Sequence, residues 1–358
     1  MDFLPLAEEL LAIRSTADRP QDLHRALDFV VDVVGPGFEV ERFESRGKPS
    51  ALVHAGGRRP FRVILNGHLD VVPGTADQFV PRREGDRLIG RGTQDMKLSA
   101  LVQAQVFREV AETLPIALQL VTDEEVGGRD GTRHQLEQGV TADFVVIGEH
   151  SGLRVVTESK GIANARLCAT GQAGHGAYQW LGDNALVKVT RAVDAVLAAY
   201  PVATEEVWRT TVNVARIATD NQALNQIPAD ATAWLDIRFP AEDRDFTGRS
   251  ADEVAAHLTA LCPPGVTAVV DSTEPPHRAE PDNPDVVALQ AAARAQGYSG
   301  DLLRKHGAAD SRFYFQRGVD AVIFGVGGNG QHGPDEYADL TTVEPYRQAL
   351  RAFLGTIA

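Results

Sequence analysis

His68, Asp95, Glu124, Glu125, Glu149 and His332 are the residues of this chain whose types and order could do chemistry together. Most of them close a short apolar run. Asn66-Gly67-His68-Leu69-Asp70 follows residues 61–65, and Thr122-Asp123-Glu124-Glu125-Val126-Gly127-Gly128 follows residues 116–121. Glu149 ends Phe144-Val145-Val146-Ile147-Gly148-Glu149, and His332 comes after Ala321-Val322-Ile323-Phe324-Gly325. Asp95 lies in Gly90-Arg91-Gly92-Thr93-Gln94-Asp95-Met96-Lys97. Imidazole and carboxylate ligands without thiolate suit Zn²⁺, Co²⁺ or Mn²⁺, zinc being the commonest. Two such ions about 3.5 Å apart need a shared ligand, which a carboxylate with two oxygens supplies. Neighbouring side chains on a loop diverge, so of Glu124 and Glu125 one can bind metal while the other accepts a proton from metal-activated water. Each element alone has a plainer reading: a structural His68, a solvated Glu124-Glu125 turn, a helix-start Glu149, a His332 in a turn. Their common placement at strand ends is better explained by one shared site.

Such a site needs a scaffold that delivers polar residues at the carboxyl ends of buried strands, which is the habit of an α/β sheet. Up to about residue 158, helix-like stretches (4–14, 23–34, 97–112) alternate with β-rich runs (51–54, 63–66, 117–121, 144–147). That rhythm predicts a mostly parallel sheet with helices on both faces. After Lys160-Gly161 the pattern changes to strands at 162–169, 210–217, 231–239 and 267–271 and helices at 184–200 and 251–261, an α+β arrangement. Helices at 285–296, 312–316 and 342–357 and a strand at 321–324 then resume the α/β pattern. The layout is therefore a discontinuous catalytic domain, 1–159 plus 278–358, with a domain inserted at 160–277. His332 lies beyond the insertion, so it can join His68 only if both outer segments share one sheet.

A chain of 358 residues with 43% hydrophobic and 23% charged content is an ordinary globular protein of two-domain size. The net charge of −14 offers no basic stripe to phosphates and excludes a nucleic-acid partner. Cys168 and Cys262 lack any paired spacing and read as buried, reduced thiols. No apolar run is long enough to span a bilayer, and the acidic N-terminus lacks the basic start of a signal peptide. A cytoplasmic location without membrane contact is the expectation.

Taken in order, Gly-His68-Leu-Asp70-Val-Val-Pro, Gly-Arg-Gly-x-x-Asp95-Met-Lys, Thr-Asp-Glu124-Glu125-x-Gly-Gly, Gly-Glu149 and His332-x-Pro-Asp-Glu resemble the M20 family of metallopeptidases and deacylases across essentially the whole chain. That family includes aminoacylases, glutamate carboxypeptidases, acetylornithine deacetylases and succinyl-diaminopimelate desuccinylases. The resemblance implies a zinc-exopeptidase-like fold with an inserted lid or dimerisation domain, and a homodimer formed through it. It implies that Asp95 bridges two ions, His68 and Glu149 completing one and Glu125 and His332 the other. Glu124 would be the general acid/base, Asp70 would orient His68 from behind, and the peptide after Asp95 would be cis.

In the inserted segment, Ser159-Lys160-Gly161, Gly174-His175-Gly176-Ala177, Gly182-Asp183-Asn184-Ala185, Asn225-Gln226-Ile227-Pro228 and Asp236-Ile237-Arg238 resemble the same family. His175 would then stabilise the tetrahedral oxyanion, by lid closure or from a dimer partner. Asn213, Asn225 and Arg238 are candidate contacts for a substrate carboxylate, with a strand-end ion pair as the alternative for Arg238. Gly307-Ala308-Ala309-Asp310-Ser311-Arg312 resembles the family's Gly-Thr-x-Asp-x-Arg segment, which makes Ser311 a further candidate and Ala308 a departure. Phe79, Tyr178 and Trp180 either line an apolar pocket or pack in core or lid. Gly325-Val326-Gly327-Gly328-Asn329-Gly330 imitates a dinucleotide fingerprint, but Gln331-His332-Gly333-Pro334 follows where a helix would have to start.

The resulting expectation is an amidohydrolase that removes an acyl group from an N-acyl amino acid. A dipeptidase or carboxypeptidase with the same ions is the near rival, and a silent binding protein on the same fold the far one. Glu149 in place of Asp favours deacylation or carboxypeptidase-like cleavage. Gln226, where desuccinylases tend to carry a second Asn, weighs against that one substrate.

Overall fold

The computed structural model describes residues 2–57 and 59–357. The chain forms two compact units. The first comprises Met1–Thr157, Arg278–Arg304 and Ala309–Ala358, and the second Glu158–His277 with Lys305–Ala308.

The first unit is built on a mixed sheet. Its strands run in the order Glu39–Ser45, Lys48–His54, Ile116–Val121, Phe61–His68, Ala142–Ile147, Asp320–Ile323, Val155–Ser159. The central strands are parallel: Phe61–His68 pairs with both Ile116–Val121 and Ala142–Ile147, which in turn pairs with Asp320–Ile323. Being covered on both faces, they are apolar almost throughout. Successive residues face opposite layers. Val63 and Leu65 join the core beneath Phe3–Ala12, Pro20–Val34, Leu98–Val110, Pro284–Ala295 and Val343–Gly355. Ile64 joins the core formed with Thr132–Glu137 and Ser311–Phe315. Since the central strands point the same way, their carboxyl ends deliver His68, the Thr122–Glu125 turn and Glu149 to one rim.

Two features of this unit go beyond the sequence reading. The charged strand Glu39–Ser45 pairs antiparallel with Lys48–His54 around Arg46 and Gly47, whose φ values of 45° and 75° make the tight turn that joins such strands. A separate antiparallel sheet has the order Gly327–Asn329, Tyr337–Asp339, Arg87–Ile89, Arg82–Glu84. It binds the chain leading to Asp95 to the chain flanking His332.

The second unit is a four-stranded antiparallel sheet in the order Thr211–Ala218, Asp230–Phe239, Gly161–Thr170, Val266–Glu274. Residues of Asp230–Phe239 alternate between buried and half-buried, and one face carries Ala185–Ala199 and Ala251–Leu261. Asn184 caps the first of these helices at Val187, and Ser250 and Glu253 form a capping box on the second. The expected boundary placed 305–308 with the outer domain. Those residues group with the second unit because Lys160 donates to the Lys305 carbonyl at 3.3 Å and His306 meets Glu206 at 3.2 Å and the ring of Trp208 at 5.5 Å. Cys168 and Cys262 are free thiols, half-buried where burial was expected: Cys262 packs at the margin of the second unit's core, and Cys168 lies on the face of its strand opposite the buried Leu167 and Ala169. Among the described residues no helix is long and apolar enough to cross a membrane.

Candidate metal centre

His68 is the last residue of its strand and is 1% exposed. Its Nε2 lies 3.0 Å from Oδ1 of Asp95. Its Nδ1 lies 3.0 Å from the backbone oxygen of Asp70 and 3.5 Å from that residue's carboxylate. The Asp70 carboxylate is itself engaged, accepting the N–H of Glu124 at 3.2 Å and of Glu125 at 3.0 Å. Asp70 thus fixes both the first imidazole and the turn that carries the paired glutamates.

Asp95 precedes Leu98–Val110, and its peptide bond to Met96 is cis. Its second oxygen, Oδ2, is 3.3 Å from Nε2 of His332 and accepts a hydrogen bond from Gln331 at 2.5 Å. The same His332 nitrogen is 3.1 Å from Oε2 of Glu125. Ligand-capable atoms of His68, Asp95 and Glu125 lie within 4.8 Å of one another, and so do those of His68, Glu124 and Glu149. All six residues singled out by the sequence therefore meet on one rim of the first unit.

The electrostatics are those of crowded carboxylates. Burial, followed by the charges of Glu149 and Asp310, pushes Glu124 well above the usual carboxylate range. Burial and the neighbouring Asp95 carry Glu125 up to about 7. Asp95 moves the other way: burial opposes ionisation, but His332 and His68 outweigh it and hold the carboxyl well below its ordinary value. For His68 burial works against the charged ring, yet Asp70 and Asp95 raise it well above normal. Buried, mutually repelling carboxylates beside imidazoles, with nitrogen and oxygen donors and no thiolate, fit divalent cations.

Arg312 stands behind Glu124. Its Nη1 lies 4.0 Å from Oε1 of Glu124 and 3.7 Å from Oδ1 of Asp310, while Nη2 donates to the Gly127 carbonyl at 2.8 Å. Asp310 in turn accepts from Thr132 at 2.5 Å. Of the segment 307–312, the sequence reading chose Ser311. That side chain is buried at the start of Ser311–Phe315, as deeply as His68 is, and its hydroxyl has no hydrogen-bond partner among the described residues, so Ser311 stays a candidate contact. The charged residues at positions 310 and 312 of the same segment are a further signal.

The other proposed contacts belong to the second unit. His175 is exposed in a short strand paired with Gln226–Ile227, and Gly176 donates to the Asn225 carbonyl at 2.7 Å, so His175 and Asn225 are neighbours. Asn213 is exposed and faces Asp236 across the sheet. The Arg238 guanidinium grips Asp236 through contacts of 2.7 and 3.1 Å, the ion pair left open as its alternative. Phe79 is core, whereas Tyr178 and Trp180, in a short turn, are 50% and 76% exposed. The glycine run at 325–330 has a packing origin: a Cβ on Gly325 would lie 2.4 Å from the carbonyl oxygens of Gly148 and Glu149. No helix starts there.

The pattern of peptidase family M20/M25/M40 matches residues 64–356. The chain belongs to this family. It is 30% identical to a succinyl-diaminopimelate desuccinylase of Acidiphilium cryptum, over 99% of this chain and 97% of that one. A desuccinylase of Ruegeria is 29% identical over 89% of this chain and 87% of its own length. Among solved structures, a tripeptidase from Staphylococcus aureus superposes with a TM-score of 0.79 at 18% identity, covering 99% of this chain and 97% of that one. An M20 family metallo-carboxypeptidase from Sulfolobus solfataricus does so with a TM-score of 0.75 at 16% identity, covering 99% of each. These likenesses show the shared α/β fold. As an M20 member the protein is a hydrolase of amide or peptide bonds, and its family implies divalent metal ions.

Proposed function

We propose that this M20 hydrolase removes the acyl group from an N-acyl amino acid. The observation that carries the reading is the convergence of His68, Asp95, Glu125, Glu149 and His332 around Glu124, in a chain whose full-length relatives are named desuccinylases. Asp95, with one oxygen toward His68 and the other toward His332, is suited to bridge two ions, zinc first, with cobalt or manganese as substitutes. His68 and Glu149 would complete one ion, Glu125 and His332 the other. Bound there, the ions would polarise the scissile carbonyl and lower the pKa of water toward neutrality.

Glu124 takes the proton from water and passes it to the leaving amine. Its surroundings raise its proton affinity, as a group that must accept a proton and then release it requires. Arg312 faces the same carboxylate and limits how far it can turn. In the second unit Nδ1 of His175 accepts the Ala177 N–H at 3.1 Å, which places the ring proton on Nε2, the tautomer an oxyanion donor needs. Asn213, Asn225 and Arg238 are proposed contacts for the substrate carboxylate. The second unit also presents Thr211–Ala218 as an edge strand, together with exposed Tyr178, Trp180 and Leu224, features that support a homodimer through it. A cytoplasmic location completes the proposal.

The test is amine release by zinc- or cobalt-loaded protein from a panel of N-acyl amino acids, N-succinyl-diaminopimelate among them, and free dipeptides. Release from one acyl class that disappears in Glu124→Ala while bound metal is retained supports the reading. Cleavage confined to dipeptides assigns the chain to the peptidases of the family, and a near-normal rate in Glu124→Ala removes that residue as the base.

A further inference from the structure

Arg91 and Glu336 form a buried ion pair outside the set of residues described so far, yet both of its ends grip the backbone of that set. Nη1 of Arg91 meets Oε2 of Glu336 at 2.5 Å, the two side chains being 3% and 1% exposed. The other carboxylate oxygen of Glu336 accepts the N–H of Gln94 at 3.1 Å and of Asp95 at 3.3 Å. Nη2 of Arg91 donates to the carbonyls of His332 and Gly333, each at 3.2 Å. Gln78 adds a third tie, donating to Gly333 at 3.0 Å and accepting the Arg91 N–H at 2.8 Å.

His332 is a residue in need of such holding. Its φ of 60° lies in the left-handed region, which non-glycine residues occupy only when surrounding contacts fix them. A buried ion pair adds little net stability, because desolvation offsets most of the attraction. What this pair does add is geometry: one rigid fork and one carboxylate join two loops that are remote in sequence, one ending in Asp95 and the other bearing His332.

We propose that Arg91 and Glu336 are positioning residues that set the separation of Asp95 from His332 and so govern the second of the two ions, the one assigned to Glu125 and His332. The inference rests on the two-ion reading above. Loss of a pair serving stability alone would lower the unfolding temperature and leave the ratio of the two metal affinities unchanged.

Chelator-stripped wild type, Glu336→Gln, Arg91→Lys and the double variant Arg91→Met/Glu336→Leu would be titrated with Co²⁺, following the visible spectrum at each equivalent, with thermal unfolding measured in chelator. The double variant leaves no uncompensated charge in the interior, though it removes the partners of four backbone groups, and Arg91→Lys keeps the charge pair as a second safeguard. In each variant the first ion, which keeps His68 and Glu149 though it shares Asp95, should be weakened less than the second. The second should bind at least about tenfold more weakly, the loss typical of disturbed support behind a metal ligand, and with an altered spectrum. Unchanged affinities and spectra, or equal weakening of both ions alongside a lower unfolding temperature, would overturn the proposal. A wild type that takes up fewer than two ions would bring down the two-ion reading and this inference with it, an outcome seen before any variant is compared.

Discussion

Asp70 meets His68 through its backbone oxygen, 3.0 Å from Nδ1, and reaches it with its carboxylate only at 3.5 Å. That carboxylate is spent on the N–H groups of Glu124 and Glu125. The residue therefore does more than support an imidazole. It aligns the strand end that carries His68 with the turn that carries both glutamates, so one substitution should disturb both halves of the centre.

In Asp70→Asn, one acceptor oxygen becomes an NH₂ group facing a backbone N–H, leaving a buried donor unsatisfied at a cost of about 1–3 kcal/mol. Metal affinity should fall by about 10–100-fold, and turnover should fall with it even at saturating metal, because Glu124 moves as well. Metal titration together with kcat at saturating ion measures both. A variant whose lost activity returns fully with added metal would show that Asp70 acts on His68 alone.

Much of this centre was legible in the sequence because parallel strands buried on both faces write themselves as apolar runs, and the polar residue after each run must emerge at the same rim. His68 after 61–67, Glu124 and Glu125 after 116–121 and Glu149 after 144–148 follow that rule. The strands Arg82–Glu84, Arg87–Ile89, Gly327–Asn329 and Tyr337–Asp339 escaped it, being three residues each and rich in charge and glycine. So did the Arg91–Glu336 pair, since nothing in either local pattern tells that two charged residues will be buried together. Arg312 escaped for a related reason: side-chain type suggests chemistry, but only packing shows that its guanidinium stands beside Glu124.

The metal-free protein should lose stability as pH rises from about 5 to 7. Burial lifts Glu125 from 4.5 to about 7 and Asp123 from 3.8 to about 7. The folded state then keeps protons that the unfolded chain has released, so unfolding becomes easier as pH climbs through that window. His68, raised well above 6.5, acts in the same direction at the upper end. Asp95, depressed below 3.8, contributes stability that disappears only at more acid pH, outside the window. Each pKa unit corresponds to about 1.4 kcal/mol. Divalent ions favour the ionised carboxylates and should reverse the trend. Thermal unfolding at pH 5, 6 and 7, with chelator and with zinc, checks it. A chelated protein whose Tm climbs over this range would contradict the account.

Gly128 connects the glutamate turn to Asp310 by contact alone. Its φ is +63°, and a Cβ there would lie 2.0 Å from Oδ1 of Asp310 and 2.8 Å from the Phe313 ring. Asp310 cannot yield freely, since its other oxygen accepts from Thr132 and Arg312 lies 3.7 Å from the oxygen that would be struck. Gly128→Ala therefore has to shift Asp310 and carry Arg312 away from Glu124, at a cost of about 1–3 kcal/mol for the backbone strain alone. None of the proposed metal ligands lies on that path. The expected signature is a lower Tm and a kcat reduced by up to about 100-fold through misplacement of Glu124, with the metal content of the wild type. Loss of bound metal in Gly128→Ala would instead mean that the 310–312 loop supports the ions themselves, and wild-type Tm and kcat would mean that the close packing does not hold Glu124 in place.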